Sequence, residues 1–188
     1  MIKEIVMRNR SVRRFNRERE IAENELLDLV DLARMSASAA NRQPLKFKLS
    51  WRPETNEIIF PKLAWAGYLN EWEGPREGEK PTAYIIILGD TTIADNYFVD
   101  HGIAAQSILL GAVEKGLGGC MIAAFDRESM REDLEIPKHL EPLLVIALGE
   151  PGEKIVLEEV KDGDIRYYRD EDSIHHVPKR PLKDIVID

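Results

Sequence analysis

The sequence contains a single cysteine among its 188 residues, and this scarcity excludes one class of fold. Cys120 has no second cysteine with which to pair, so the chain cannot hold the disulfide framework of a small secreted domain. It also lacks a signal-peptide pattern and any apolar run near the ~18 residues that a membrane span requires. These absences predict a cytoplasmic protein that does not enter a membrane.

A net positive charge is also missing. The chain has 26 basic and 34 acidic residues, for a formal charge of −8, which argues against a general partner of nucleic acids or anionic membranes. The charge is unevenly distributed, because residues 1–19 hold seven bases and two acids, a local +5 that leaves −13 for the rest. A basic arm on an acidic body indicates a confined site for an anion.

The pattern of apolar residues predicts mixed helices and strands. Helical spacing favours helices at Ile2–Arg8, 23–36, 62–72, 97–115 and 127–134, the last with Asp126 as N-cap. Alternating or continuous apolar runs favour a β-hairpin at 46–60 and strands at 83–88, 119–124, 143–148 and 165–168. With 44% hydrophobic residues, the chain is predicted to form one α+β domain over residues 1–188, with an extended C-terminal arm from about residue 152.

The predicted helix at 97–115 is apolar on nearly every side, so it must be buried centrally or against a partner subunit. Aromatic residues Trp65, Tyr68 and Trp72 lie in the predicted helix before a polar loop at 73–81. They are typical of a core or interface stripe and less often of a substrate lid.

Two basic clusters lie near opposite ends of the chain. Arg10-Ser11-Val12-Arg13-Arg14-Phe15 combines guanidinium groups and a hydroxyl that suit phosphate oxygens with a phenyl ring that can anchor the loop. Lys179-Arg180 forms the second cluster. Either cluster alone is more typical of a solvated surface, but the two together could converge on one phosphate.

The segment at 36–44 places small residues before amides and a proline. Small side chains allow a flat ligand to approach the backbone, and Asn41 and Gln43 can both donate and accept hydrogen bonds. An ordinary connection from a helix to a strand is an equally good interpretation of this composition.

Four ordered segments together resemble the nitroreductase family of FMN-dependent oxidoreductases. They are residues 10–15, residues 36–47, residues 100–110 with Gly116-Leu117-Gly118-Gly119, and residues 176–186. The resemblance spans nearly the whole chain. It implies a three-layer α+β fold with a small, mostly antiparallel sheet flanked by helices, and one long buried helix at a dimer interface.

The resemblance also implies a homodimer with one FMN in each of two shared sites. Arg10, Ser11 and Arg13 would bind the phosphate and the flavin edge, and Lys179 and Arg180 would close on them from the chain end. Four residues would approach the partner subunit's flavin: Ala37, Ser38, Ala39 and Asn41. The backbone N–H groups of Ala123 and Ala124 would lie near the reactive ring nitrogen.

The implied activity is transfer of a hydride from NADH or NADPH to flavin, followed by ping-pong reduction of an electrophilic acceptor such as a nitroaromatic or a quinone. The flavin would carry this chemistry, so no catalytic side chain is expected. No metal is expected either, because Cys120, His175 and His176 have no recognised ligand spacing. The alternatives are a non-catalytic dimeric flavin-binding module and a specialised flavin reaction such as reductive dehalogenation.

Two positions depart from the family pattern. Asn9 stands where many members have a second arginine, which predicts a weaker phosphate site. Ala123-Ala124 stands where members commonly have glycine, which keeps the backbone donors but narrows the approach to them.

Overall fold

An antiparallel sheet of five strands organises the chain, for which the computed structural model describes residues 1–187. The strands are β1 (Phe15–Asn16), β2 (Leu45–Ser50), β3 (Ala83–Asp90), β4 (Gly118–Ile122) and β5 (Leu140–Pro151). β3 lies between β2 and β5, and β5 also pairs with β4 and, at its C-terminal end, with β1. The long central strand β5 therefore connects all parts of the sheet except β2.

Five α-helices surround this sheet. They are α1 (Ile2–Arg8), α2 (Glu23–Arg34), α3 (Pro53–Ile59), α4 (Asp100–Glu114) and α5 (Arg127–Asp133). Asp126 caps α5 as predicted, since its carboxylate accepts a hydrogen bond from the Ser129 backbone at 3.1 Å.

The sheet separates two apolar cores because successive side chains of a strand point to opposite faces. Ile85 and Ile87 of β3 pack towards α2 and α4, whereas Tyr84 and Ile86 pack towards α3 and α5. All eight residues of β3 are buried. The predicted α+β class, with an antiparallel sheet between helical layers, is confirmed.

Helix α4 is buried on one side only. Ala105, Ile108 and Ala112 contribute to the core, while Gly102, Ile103 and Gln106 are exposed. The apolar character of α4 on nearly every side thus exceeds what packing within one copy of the chain requires.

The predicted β-hairpin at 46–60 is wrong in its second half. β2 forms, but it pairs with β3, and the chain then turns into helix α3. Pro53 occupies the first turn of α3, where a backbone N–H has no partner within the helix and is not needed. Ile59, at the end of α3, is completely buried. The β-branched residues at 58–59 suggested a strand, but tertiary packing on the sheet favours the helix.

The predicted helix at 62–72 is also wrong. A 3₁₀ turn covers Phe60–Lys62, and an irregular segment follows, because tertiary contacts there compete with helical hydrogen bonds. Leu63 pairs with Phe125 in an isolated bridge, and the Ala64 N–H donates to the Ala124 carbonyl at 2.9 Å. This segment therefore lies beside the end of β4.

A second, smaller sheet is formed after Pro151. It contains β6 (Ile155–Glu159), β7 (Tyr168–Arg169) and β8 (His175–Lys179), with β8 in the centre, parallel to β6 and antiparallel to β7. The strand predicted at 165–168 is displaced to β7. In the part of the chain that is described, no helix is long and apolar enough to cross a membrane.

Candidate functional site

The residues between α1 and β1, which we term the arginine loop (residues 9–14), lie against the outer edge of β4. Val12 and Phe15 are buried in the core and anchor the loop at two points. The Val12 N–H donates to the Gly119 carbonyl at 3.0 Å, and Ser11 and Gly119 form a parallel bridge. Anchoring by apolar side chains leaves the arginine side chains to face neighbouring elements.

The arginine loop, α4, β4 and β8 enclose a cavity of about 350 Å³, which we term the cationic cavity. Its lining residues are Asn9, Arg10, Ser11, Arg13, Gln106, Leu109, Gly119, Met121, Tyr167, His175, Val177 and Lys179. Among these described residues there are three permanent cations and no carboxylate. The two basic clusters at opposite ends of the chain do meet, through Arg10 and Arg13 on one side and Lys179 on the other.

Part of the wall of the cationic cavity is apolar. Leu109 of α4, Met121 of β4 and Val177 of β8 contribute to it. Met121 is 37% exposed although it belongs to a strand of the main sheet. A cavity lined by both cations and apolar groups suits an organic phosphate with a flat apolar body.

Arg10 is only partly free to bind a ligand. Its Nη2 donates to the Val6 carbonyl at 2.8 Å, and its Nε donates to the carbonyl of Asn9. Partial burial lowers the pKa of its guanidinium from the usual value, since burial disfavours the charged form. The two carbonyls orient this charge beside the cavity.

Arg13 is 9% exposed and is enclosed by residues from the C-terminal part of the chain. Its guanidinium lies 4.7 Å from the centre of the Tyr167 ring, and its Nη1 lies 3.3 Å from His175 Nε2. Because arginine can only donate, His175 Nε2 must accept, and the imidazole proton resides on Nδ1. Burial lowers the pKa of His175 to about 4, which agrees with a neutral ring at this position.

The arginine loop is held from behind by Glu153, whose side chain is 1% exposed. This carboxylate accepts hydrogen bonds from the backbone N–H groups of Arg13 at 2.5 Å and Arg14 at 3.1 Å. It also pairs with Arg169 at 2.9 Å. Three donors around one buried carboxylate compensate its loss of hydration.

The segment at 36–43 lines a different cavity, of about 150 Å³. The Ser38 hydroxyl donates to Asp100 Oδ2 at 2.6 Å, and the Ala39 N–H donates to Asp100 Oδ1 at 2.9 Å. Asp100 is 3% exposed at the start of α4. Ala37 and Ser38 line this cavity, whereas the cationic cavity is lined by other residues.

The backbone of the same segment is unusual. Ala40, Asn41 and Gln43 have φ values of 51°, 53° and 53°, in the left-handed region that residues with a side chain seldom adopt. Asn41 is exposed, and its amide oxygen accepts from Gln43 Nε2 at 3.2 Å. Strain of this kind in an exposed segment is typical of a binding surface.

Ala123 and Ala124 follow β4 and are both exposed. Their carbonyls are engaged, with Ala123 accepting from Arg127 Nη2 at 3.0 Å and Ala124 from the Ala64 N–H at 2.9 Å. Arg180 follows β8 on the surface and, unlike Lys179, is not part of the wall of the cationic cavity.

Sequence reasoning missed Glu153, Tyr167 and His175 as parts of this site. All three lie in a polar, charged stretch, and their contacts with Arg13 span about 140–160 positions of the sequence. The adjacent histidines at 175–176 were the available signal, and they were weighed only as metal ligands and rejected because they have no recognised ligand spacing. No group of three or more metal-binding side chains occurs within residues 1–187.

Comparison with known proteins identifies the family to which this chain is similar. Residues 6–150 match the family model described as the nitroreductase family. A protein of Methanothermobacter thermautotrophicus, provisionally named an NADH dehydrogenase/NAD(P)H nitroreductase, is 29% identical over 167 residues, which covers 86% of this chain and 83% of the relative.

Solved structures share the fold. A nitroreductase family protein from Clostridium novyi NT superposes with a TM-score of 0.67 at 21% identity, over 95% of this chain and 94% of that chain. A protein from Exiguobacterium sibiricum, described as a nitroreductase and solved in complex with FMN, superposes with a TM-score of 0.68 at 17% identity, over 81% and 89% of the two chains.

Proposed function

The chain belongs to the nitroreductase family, and from this premise we propose that it is an FMN-dependent oxidoreductase that uses NADH or NADPH to reduce an electrophilic acceptor. The observation that carries the proposal is the convergence of Arg10, Arg13 and Lys179 on one cavity with an apolar wall. The relative from E. sibiricum binds FMN, and the relative from M. thermautotrophicus is named for NAD(P)H chemistry, which supports the same assignment.

The donor set of the cationic cavity fits the phosphate of FMN. Arg10, Arg13 and Lys179 supply positive charge, and the exposed Ser11 supplies a hydroxyl donor. Asn9 is 8% exposed and lines the same cavity, so an amide takes the place that an additional arginine would occupy. When bound, FMN would supply the hydride and electron transfer, while the chain supplies binding and orientation.

The apolar wall suits the flavin ring system. Leu109, Met121 and Val177 would exclude water from one side of the ligand and leave the other side open. The exposed backbone after β4, at Ala123 and Ala124, lies beyond Met121 along the same strand direction. We assign these two residues to hydrogen bonding with the ring through their N–H groups.

A second copy of the chain would complete the site. Gly102, Ile103 and Gln106 are exposed on α4, with Ile103 the large apolar side chain among them, and exposed Met121 lies on β4. Covering these residues in a homodimer would bury apolar surface that a single copy leaves in water. In such a dimer Ala37, Ser38, Ala39 and Asn41 are assigned to the partner's flavin, which accounts for their separation from the cationic cavity.

The charge distribution favours a mononucleotide over a polynucleotide. The chain outside residues 1–19 carries −13, and the basic side chains Arg10, Arg13 and Lys179 meet at one cavity on this acidic chain. With FMN bound, its phosphate would neutralise much of the positive charge of the cavity before NADH or NADPH approaches. The net negative charge of the rest of the chain would repel a nucleic acid.

The test is a spectrum of the purified protein. We expect a yellow protein that releases FMN on denaturation and bleaches under anaerobic NADH or NADPH. Protein that is colourless and takes up no added FMN would contradict the proposal. Protein that binds FMN but oxidises NAD(P)H no faster than free FMN would identify a non-catalytic flavin-binding module instead.

The acceptor is resolved by a panel of substrates. Nitroaromatics, quinones and halophenols should be compared under NADH and NADPH with saturating FMN. Turnover of the first two classes is expected for a nitroreductase activity. Turnover confined to halophenols would point to reductive dehalogenation.

A further inference from the structure

The contacts around Arg13 come almost entirely from a region that follows the main fold. His175 on β8 accepts from its guanidinium at 3.3 Å, the Tyr167 ring lies 4.7 Å away, and Glu153 accepts from its backbone N–H at 2.5 Å. His175 thus contacts the edge of the Arg13 guanidinium, Tyr167 contacts the guanidinium with its ring, and Glu153 binds the Arg13 backbone. Residues 153–175 thus determine where this charge lies.

The three residues also support one another. The Tyr167 and His175 rings lie 5.3 Å apart, and Arg169, two residues beyond Tyr167, pairs with Glu153 at 2.9 Å. The Tyr68 ring packs against the Tyr167 ring at a tilt, with centroids 5.1 Å apart, which adds a contact from the irregular segment before β3. The position of Arg13 is therefore fixed by a packed group and not by one flexible side chain.

The Arg13 guanidinium has uncharged hydrogen-bond acceptors, and this determines how much of its charge is available to a ligand. Among residues 1–187, the Arg13 guanidinium donates to two uncharged acceptors, the His175 imidazole at 3.3 Å and the Ser11 carbonyl at 3.4 Å, while the nearby Glu153 carboxylate is occupied by backbone N–H groups and Arg169. An ion pair with a carboxylate would cancel the charge that an oxyanion needs. A neutral acceptor orients the guanidinium and leaves its full charge available to the cavity.

We propose that His175 is a positioning residue for the FMN phosphate: as a neutral acceptor, together with Tyr167 and Glu153, it holds the Arg13 guanidinium at the cationic cavity without neutralising it. This inference rests on the proposed function and assigns part of the cofactor site to the C-terminal sheet. His175 acts through Arg13 and is not a catalytic residue.

The role of His175 requires that it stay neutral. The charged and titratable groups that face it are Arg13 from the arginine loop, Glu153 from before β6, Arg169 from β7 and the neighbouring His176. Burial is the main reason that the His175 pKa is lowered to about 4; the Glu153 carboxylate opposes this shift, and the two arginines and His176 act in the same direction as burial. A proton on Nε2 would place two donors against each other and displace Arg13.

The test compares two substitutions at His175 with a matched neighbour. His175→Leu removes the acceptor at similar volume, whereas His175→Gln retains an acceptor that does not titrate. His176→Leu is the control, because His176 pairs with Asp170 and Glu158 and is not part of the cavity wall. FMN affinity is measured by quenching of flavin fluorescence, and folding by circular dichroism and denaturant unfolding.

At pH 7.5, which is ~1 unit above the usual histidine pKa, we expect His175→Leu to weaken FMN binding about tenfold, as expected for loss of a hydrogen bond to a charged group. His175→Gln and His176→Leu should remain within about twofold of the wild type. As the pH falls towards about 4, the wild type should lose affinity relative to His175→Gln. Since FMN protonation affects both proteins equally, their ratio isolates His175.

A folded His175→Leu variant with wild-type affinity overturns the inference, and so does a His175→Gln profile that parallels the wild type throughout the acid range. The second comparison decides the question if the leucine variant does not fold. If the wild type binds no FMN, the proposed function and this inference fail together. If the wild type binds FMN but the His175 variants bind it with the same affinity and pH dependence as the wild type, the inference fails and the proposed function stands.

Discussion

The main sheet and the C-terminal sheet of this chain are held together by different forces. β3 is buried along its whole length between two apolar cores, whereas no residue of β6 is fully buried. The C-terminal sheet instead depends on polar contacts, among them the Arg169–Glu153 ion pair at 2.9 Å and the stacked Tyr168–His176 pair at 4.7 Å. We therefore expect the main sheet to contribute most of the folding free energy and the C-terminal sheet to act mainly by completing the cationic cavity.

The two sheets meet at the cationic cavity. β4 contributes Gly119 and Met121 to its wall, and β8 contributes His175, Val177 and Lys179. The apolar strand β4 and the polar strand β8 therefore share one cavity, to which β8 adds Lys179 and the His175 acceptor of Arg13, while Arg10, Ser11 and Arg13 come from the arginine loop. Substitutions in the two sheets should accordingly affect different measurements.

The largest expected effect is on stability, from Ile86→Ala in β3. Ile86 is completely buried, so the substitution leaves a cavity and should lower the free energy of unfolding by about 2–5 kcal/mol. Val156→Ala in half-buried β6 should cost less than about 1.5 kcal/mol. Denaturant unfolding measures both, and equal costs would refute the assignment of folding free energy to the main sheet.

The next effect is on cofactor binding, from Lys179→Ala at the end of β8. Lys179 lines the cationic cavity and its neighbour Arg180 does not, so the pair forms a matched test. We expect Lys179→Ala to weaken FMN binding about tenfold and Arg180→Ala to change it less than threefold. Unfolding curves of both variants should coincide with the wild type. A larger loss from Arg180→Ala than from Lys179→Ala would assign the phosphate contact to Arg180, as the sequence motif predicts.

A smaller effect concerns the acid stability that His175 controls. The folded-state pKa of His175 is about 4, below its ordinary 6.5, so between these values the unfolded chain takes up a proton that the folded chain does not. Stability should therefore decline as the pH falls from about 6.5 to about 4. His175→Gln should lessen this decline, as measured by thermal unfolding across that range. An unchanged pH profile would show that His175 titrates normally.

The smallest effect has the opposite sign and comes from the adjacent residue. Hydrogen bonding to Asp170, with a further contribution from Glu158, raises the pKa of His176 above 6.5. The folded chain then binds the proton more tightly, so this contribution is present below pH 6.5 and is lost as the pH rises through the folded-state pKa. His176→Gln should lower the melting temperature slightly near pH 6 and not at pH 9. A uniform change at both pH values would indicate loss of packing instead.

Most of the main fold could be predicted because it depends on apolar patterns. The run at 83–88 and the helix at 97–115 appear as β3 and α4, since burial on a sheet or beside it requires just such residues. The region at 53–72 could not be predicted, because Pro53 suits both a turn and a first helical turn, and the contacts of Leu63 and Ala64 with the end of β4 are tertiary.

The candidate site was predictable only where a motif names a residue. Arg10, Ser11, Arg13 and Lys179 do line one cavity, but Glu153 and His175 carry no local pattern. Their importance arises from enclosure of Arg13, which depends on how the C-terminal sheet packs against the arginine loop. Hydrophobic periodicity does not predict that a polar strand packs against a loop far away in the sequence.

The most direct test of the central claim is the affinity of the wild-type protein for FMN compared with riboflavin, which differs only by the phosphate. If Arg10, Arg13 and Lys179 hold that phosphate, FMN should bind at least about a hundredfold more tightly than riboflavin, since two or more charge-assisted hydrogen bonds separate them. Lys179→Ala should reduce the ratio and leave riboflavin affinity unchanged. Equal affinities for FMN and riboflavin would contradict the account.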